Sequence, residues 1–480
     1  MRFYGRTEEI ATLRHFWSVV QNRKTAQMVS VFGRRRVGKT TLIRKAFENE
    51  TAPVLSFMVQ DRSEASTAQT WTQAVCRAFD VPYTPTFTKA ADVIAFAMSL
   101  AKTKPAVFII DECQAFNRWA PAFWSELQGV WDRLRDDSPL LLVMSGSIVY
   151  AMEDIFGNAS KPLFGRTSGQ IEVRAFTPSV IRQIVTDENP AAAPMDLLTV
   201  YAITGGVAEY LRLLVENDAL TQKAAVRFLF SWPGAWLRSE GAIYLANEYR
   251  SHAPDYNEIL HAVAAGATQW SQIEERVGSN IRSYMTKLEQ FRILERVRPI
   301  FAEPTARKAR YRIADPYLKF WLTFVDPIEL RDLANNDRWD ELVARCESGL
   351  PTYLGRTLER WFQAKLLEDG PWSPVASWWD RKSDNDIDIV AVNESKKELL
   401  LGEVKTNPKK YSRNLLLYKK AKKSAADFLA TLFSVDVLYS DVMTAHYAHS
   451  AELLNPAPSR ISKRLHWRHQ SHSHTHNRLP

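Results

Sequence analysis

Residues 26–48, AQMVSVFGRRRVGKTTLIRKAFE, decide how the first third of this chain is read. The run through Val29, Val31 and Phe32 is strand-like, residues 33–40 fit G-x-x-x-x-G-K-[ST], and the segment after Thr40 is helix-prone. A strand that empties through glycines into a helix aims backbone N–H groups at phosphate oxygens beside the helix N-terminus. Gly33 and Gly38 let the loop curl, and Arg34, Arg35, Arg36, Val37 and Thr41 complete the stretch. Lys39 is placed to reach the β- and γ-phosphates and the Thr40 hydroxyl to ligate Mg²⁺, so the expected ligand is ATP with its metal.

A second element sits at AVFIIDE, residues 106–112, an apolar strand that ends in two acids. Asp111 is expected in the Mg²⁺ shell and Glu112 as the group that polarises an attacking water, which favours hydrolysis over binding alone. Around these motifs, residues 1–175 alternate strand-like runs with helical patterns, the mark of an open α/β sheet. The other runs are VLSFMVQ, LLLVMSGS and GQIEVRAF. Residues 176–250 become helical, opening on the capping-type Thr177–Pro178.

The bulk composition narrows the setting. At 480 residues with 46% hydrophobic content, the chain has room for several packed domains. The net charge of +8 is compatible with a polyanionic partner. Cys76, Cys113 and Cys346 are too scattered for a disulfide framework or a zinc site, which points to a reducing compartment. No apolar stretch reaches the length of a bilayer span, and MRFYGRTEEI lacks a signal-peptide core. A cytoplasmic protein without membrane partners is expected.

In chain order, FYGRTEEIATL, VFGRRRVGKTTLI, FIIDECQ, LLVMSGS and PLFGRTSGQIEV resemble the prokaryotic, archaeal-type AAA+/STAND ATPases over residues 1–325. The resemblance implies a P-loop NTPase sheet in which the acid-bearing strand lies beside the P-loop strand. It also implies that Ser145 and Ser147 occupy the position that senses the γ-phosphate. Arg166 would match an arginine that touches nucleotide in cis or a neighbour's in trans within a homo-oligomer; a structural salt bridge is the alternative. TGGVAEYL (residues 204–211) matches a lid motif in which Ala208 stands where proline is common.

Residues 251–326 carry three short helical segments and then a basic, strand-like stretch, which resembles a winged helix-turn-helix. In the third helix Ile281, Met285, Leu288 and Phe291 form an apolar stripe, leaving Arg282, Ser283, Thr286, Lys287 and Gln290 on the other face. One reading is a DNA-binding module, with Arg282 and Lys287 at a groove and Arg307, Lys308 and Arg310 on phosphates. The other is an internal packing unit that relays nucleotide state.

Residues 327–445 are expected to form a further domain, with a charged helical segment first and an α/β pattern from about 350 to 445. In LLLGEVKTN, residues 399–407, strand alternation puts Glu403 and Lys405 on one side and Val404 opposite. Upstream, DIDIVAV would place Ile387, Ile389 and Ala391 on one face and Asp386, Asp388 and Val390 on the other. An Asp on one strand and Glu-x-Lys on the next form the PD-(D/E)xK arrangement, with Glu359 on a helix that packs toward them. Asp388 and Glu403 would ligate Mg²⁺, Lys405 would orient water, and Glu359 would act through a metal-bound water. The region resembles the restriction-endonuclease-like domain often fused to archaeal-type ATPases, either active on DNA or degenerate. The lysines from 409 to 423 suit a phosphate-tracking helix, and the His-rich residues 446–480 are expected to be disordered. Three functions remain open: an ATPase coupled to a DNA-directed nuclease-like domain, an ATP-driven signalling switch, and a DNA-binding regulator.

Overall fold

The computed structural model describes residues 1–60, 62–249, 254–278, 280–302, 309–380, 386–396 and 398–405. Arg307, Lys308, the lysines from 409 onward and residues 446–480 therefore lie outside the described residues. The first unit contains α1 (Thr7–Arg23), β1 (Gln27–Phe32), α2 (Lys39–Ala46), β2 (Val54–Met58), α3 (Glu64–Ala78), α4 (Ala90–Ala101) and β3 (Ala106–Asp111). It continues with α5 (Phe116–Trp119), α6 (Phe123–Leu134), β4 (Leu140–Gly146), α7 (Val149–Gly157) and β5 (Gly169–Glu172).

All five strands pair in parallel, in the order β2-β3-β4-β1-β5. The architecture is α/β, as the alternation of runs implies. Strand order differs from expectation: β4, not the P-loop strand, is the neighbour of acid-bearing β3 on that side. Burial explains the placement. Every residue of β3 and β4 is buried, whereas β2 alternates exposed and buried positions and β5 is only partly covered. Strands apolar on both faces belong in the middle of a parallel sheet, under helices on either side. Along β3 and β4, Phe108, Ile110, Leu142 and Met144 enter one apolar cluster, while Val107, Ile109, Leu141 and Val143 enter the cluster on the opposite face.

The helical region follows: α8 (Pro178–Glu188), α9 (Pro194–Thr204), α10 (Ala208–Glu216), α11 (Gln222–Leu229), α12 (Ala235–Tyr249), α13 (Pro254–Ala264), α14 (Trp270–Val277) and α15 (Arg282–Gln290). Proline opens α8 and α9, where its missing N–H costs nothing, and Gly205 (φ 58°) and Gly278 (φ 70°) end α9 and α14. Thr177 does not cap α8; its hydroxyl bonds to Glu368, which also accepts from the Ser179 N–H at 3.0 Å. Ile281, just before α15, and Met285 and Leu288 within it are buried and Phe291 is half-buried, whereas Arg282, Ser283, Thr286, Lys287 and Gln290 are exposed. An antiparallel pair, β6 (Leu294–Val297) and β7 (Arg310–Ile313), comes next. This region docks on the sheet unit through Arg292, which pairs with Glu153 and Glu172, and through the edge-on rings of Tyr150 and Phe291.

Three helices lead into the last sheet: α16 (Pro316–Phe324), α17 (Ile328–Asn335) and the 31-residue α18 (Trp339–Asp369). Asp315 caps α16 by accepting from Leu318 N at 3.0 Å. The strands β8 (Val375–Trp379), β9 (Asp386–Asn393) and β10 (Glu398–Gly402) form an antiparallel sheet in the order β10-β9-β8. The expected alternation in β9 breaks. Ile389 and Ala391 join the large helical core, but Ile387 falls on the opposite face with Val390 and Val392. The cause is a bulge: Ala376 faces Val390 and Trp378 faces Ile387, so Asp388 and Ile389 together oppose Ser377. Gln363 Nε2 and Ser377 Oγ bond the Asp388 carbonyl at 3.0 and 2.9 Å, satisfying the group the bulge takes from the ladder. Among the described residues no helix is long and apolar enough to cross a membrane.

Candidate functional site

Residues 33–40 run from the end of β1 into α2, and their conformation depends on glycine at two places. A Cβ on Gly33 would lie 2.1 Å from the Val173 carbonyl oxygen, and Gly38 has φ 96°. Lys39, 6% exposed, donates from Nζ to the Gly33 and Arg34 carbonyls at 2.8 and 3.1 Å. Burial pushes its pKa down to about 8, against the fields of Glu112 and Asp111. Thr40 Oγ1 donates to Asp111 Oδ2 at 2.8 Å, so a hydroxyl and a carboxylate stand together at the start of α2. Two hard oxygen donors beside a helix N-terminus fit Mg²⁺ held against phosphates.

Glu112 adopts φ 56° immediately after β3. Its Oε2 accepts from Ser147 Oγ at 2.7 Å and from Gln114 Nε2 at 2.6 Å. The central position of β4 brings Ser147 to this carboxylate. Ser145, paired with Ser147 in the sequence reading, is buried within β4, and its Oγ has no hydrogen-bond partner among the described residues. Gln114 was not foreseen, because nothing in FIIDECQ separates its amide from an ordinary helix residue.

The remaining loop residues divide. Val37 is buried and its carbonyl accepts from Arg6 at 3.1 Å; Thr41 is exposed and Arg35 is half-buried. Arg34 and Arg36 turn toward α10, α12 and α16 instead of lying free. Arg166 forms a two-pronged pair with Asp132 of α6, at 2.9 Å from Nε and 2.8 Å from Nη2.

In the C-terminal sheet region, Lys405 Nζ stands 3.1 Å from Glu403 Oε1 and 3.5 Å from Asp388 Oδ2. Asp388 Oδ2 also accepts from the Val404 N–H at 2.7 Å, which ties the bulge in β9 to the chain after β10. Burial raises the pKa of Asp388 despite that hydrogen bond. Burial opposes the Lys405 charge too, but the two carboxylates outweigh it and its pKa is raised. Glu359 of α18 is pushed up to about 7, first by burial and then by the field of Asp388. Among the described residues no three His, Cys, Asp or Glu side chains are grouped so as to hold an ion. The ammonium of Lys405 lies within ion-pair reach of both carboxylates that were expected to share a metal, offsetting one of their two charges.

The basic strand β7 and the chain after β6 are engaged within the molecule. Arg310 lies over the Trp379 ring at 4.4 Å with Asp386 at 3.8 Å, and Ile300 N bonds the Ser377 carbonyl at 3.0 Å.

Two family models match separate stretches of the chain. Residues 22–149 match the family described as AAA domain, and residues 321–423 match a family described as archaeal and bacterial proteins of unknown function. An uncharacterized protein of Methanocaldococcus jannaschii is 23% identical over 438 residues, covering 88% of this chain and 92% of the relative. An uncharacterized ATP-binding protein of the same organism is 44% identical over 48 residues, 10% of this chain and 75% of the relative. Among solved structures, the Walker-type ATPase of Pyrococcus abyssi aligns with a TM-score of 0.49 and 20% identity, over 67% of this chain and 96% of that one. Over residues 22–149 the chain is thus similar to AAA domains, and over residues 321–423 to a family of archaeal and bacterial proteins.

Proposed function

We propose that this protein binds and hydrolyses Mg-ATP and uses its nucleotide state to govern a C-terminal domain directed at DNA. One observation carries the ATPase reading: Lys39, the Thr40–Asp111 pair and the Ser147–Glu112 pair converge where β1, β3 and β4 end. In this reading Lys39 binds phosphate, Thr40 and Asp111 hold Mg²⁺, and Glu112, oriented by Ser147 and Gln114, takes the proton of the attacking water. The exposed Arg282 and Lys287 of α15 offer the DNA contact. Calorimetry with Mg-ATP tests the core of it. Lys39→Ala should lose binding, while Glu112→Gln should bind and turn over slowly; unaltered affinity in Lys39→Ala would refute the assignment.

For the last domain, one reading is metal-dependent cleavage of DNA, which would require a divalent cation to displace Lys405 from between Asp388 and Glu403. A recognition module is the second reading, favoured by the seat of Lys405 between Asp388 and Glu403. Cleavage of plasmid or branched DNA with Mg²⁺ or Mn²⁺, compared with and without ATP, separates them. Salt-sensitive binding with no cleavage would leave only recognition.

A further inference from the structure

The arginines of GRRRVGKT lie in a loop built for phosphate, yet Arg34 sends its side chain the other way. Only 13% of it is exposed, and it pairs with Asp315, itself 12% exposed, at the start of α16. Its Nη2 donates to the Tyr210 hydroxyl at 3.0 Å, and its guanidinium stands 4.5, 5.5 and 6.0 Å from the rings of Tyr244, Tyr210 and Tyr317. Taking a guanidinium this far from water is costly unless it is paired and hydrogen-bonded. Here α10, α12 and α16 supply a carboxylate, a hydroxyl and three ring faces to one cation.

Three further contacts bind the same loop to α10 and α12. Arg36 lies 4.7 Å over Trp236 and reaches Glu240 at 3.4 Å, and Glu240 also accepts from the Tyr210 hydroxyl at 3.4 Å. The Arg36 carbonyl accepts from Glu209 N at 3.1 Å. Meanwhile the Arg34 carbonyl holds Lys39 Nζ at 3.1 Å. A phosphate on the loop competes for that ammonium, so the reach of Lys39 and the seat of Arg34 are linked through one backbone group. The turn before Asp315 is also gripped from the far side, because Arg360 of α18 donates to the carbonyls of Ile313, at 2.9 Å, and Ala314. Arg360 is the chain neighbour of Glu359 in the C-terminal cluster.

We propose that Arg34 is a positioning residue that pins the phosphate loop to the Asp315 end of α16, so that nucleotide affinity depends on how that turn is seated. The inference rests on the ATP reading above and adds the route by which nucleotide and C-terminal cluster influence each other: loop, Arg34, Asp315, Arg360 and α18.

A double-mutant cycle on the full-length chain tests it, with Mg-ATP affinity and thermal stability measured for wild type, Arg34→Ala, Asp315→Asn and the pair. Asp315→Asn keeps an oxygen to cap α16 while removing the charge. Each single change should weaken ATP binding about tenfold, with the double no weaker than the worse single. If stability falls while affinity stays at the wild-type value, the cage is only structural and the proposal is overturned. Additive losses of affinity overturn it as well. Should Arg34→Ala fail to fold, Tyr210→Phe, which deletes one hydroxyl, should still weaken binding about threefold; unaltered affinity there overturns the pin. A wild type that binds no Mg-ATP overturns both the pin and the ATP reading, whereas tight binding by wild type and variants alike overturns the pin alone.

Discussion

Ser147 Oγ donates a 2.7 Å hydrogen bond to Glu112 Oε2, joining the chain just beyond β4 to the chain just beyond β3. With Gln114 on the same oxygen, the carboxylate is held in one direction. Ser147→Ala should slow ATP turnover about tenfold at unchanged affinity, and Glu112→Gln by about a hundredfold or more. Single-turnover kinetics beside equilibrium binding separates these effects. Full turnover in Ser147→Ala would mean that the hydroxyl does not orient the base.

Gly33→Ala should be far more damaging than Gly38→Ala in packing terms. The first would drive a Cβ to 2.1 Å from the Val173 carbonyl oxygen, while the second meets only Ala208 Cβ at 3.6 Å. The expected loss for Gly33→Ala is about 2–3 kcal/mol. Gly38→Ala, strained through its φ of 96°, should lose about 1–2 kcal/mol. Denaturant midpoints at constant slope give both figures, and equal losses would contradict the difference in space.

The Arg166–Asp132 pair is partly solvated, with 25% and 44% of the two side chains exposed. Arg166→Ala should therefore destabilise by no more than about 1 kcal/mol. Mixing Arg166→Ala with Lys39→Ala chains should restore no turnover. Recovery in the mixture would show instead that Arg166 leaves Asp132 to complete a neighbour's site.

Removing Lys405 exposes the repulsion it suppresses. Lys405→Ala should lower the melting temperature by an amount worth about 1–2 kcal/mol. Millimolar Mg²⁺ or Mn²⁺ should then restore part of the loss, because a cation can replace the ammonium between Glu403 and Asp388. Asp388→Asn in the same background should abolish that rescue. Thermal shifts with no response to divalent ions in Lys405→Ala would argue against any metal role for the cluster.

Lys319 on α16 has its pKa pushed down to about 8 by burial and then by Arg360 and Arg356, with the Tyr353 ring 5.0 Å from its Nζ. The unfolded chain keeps the ordinary lysine value and so binds more protons between about pH 8 and 10.5. Stability should rise with pH across that window, and the cost of the charge is fully present below it. Lys319→Met should therefore stabilise the protein at neutral pH by about 2 kcal/mol, with the gain shrinking toward pH 10. A gain independent of pH would assign the effect to packing instead.

From the sequence alone, the five strands of the α/β sheet, the phosphate loop, the two acids at the end of β3 and the apolar stripe of α15 were legible. Each is written in local spacing: alternation along a strand, helical periodicity, or a glycine pattern that forces one turn. The order of strands was not local. That β4 stands between β1 and β3 follows from which strands are apolar on both faces and must be covered by helices, a competition settled only when all five pair. The same placement selects Ser147 over Ser145 as the partner of Glu112. The bulge that re-aims Asp388 depends on the register of β8 across from it, and β8 was not foreseen. The destination of Arg34 depended on Tyr210, Tyr244, Asp315 and Tyr317 arriving from three separate helices. A guanidinium has no directional preference of its own along the chain; it goes where the folded molecule gathers a carboxylate and aromatic faces, and only the tertiary structure could gather them.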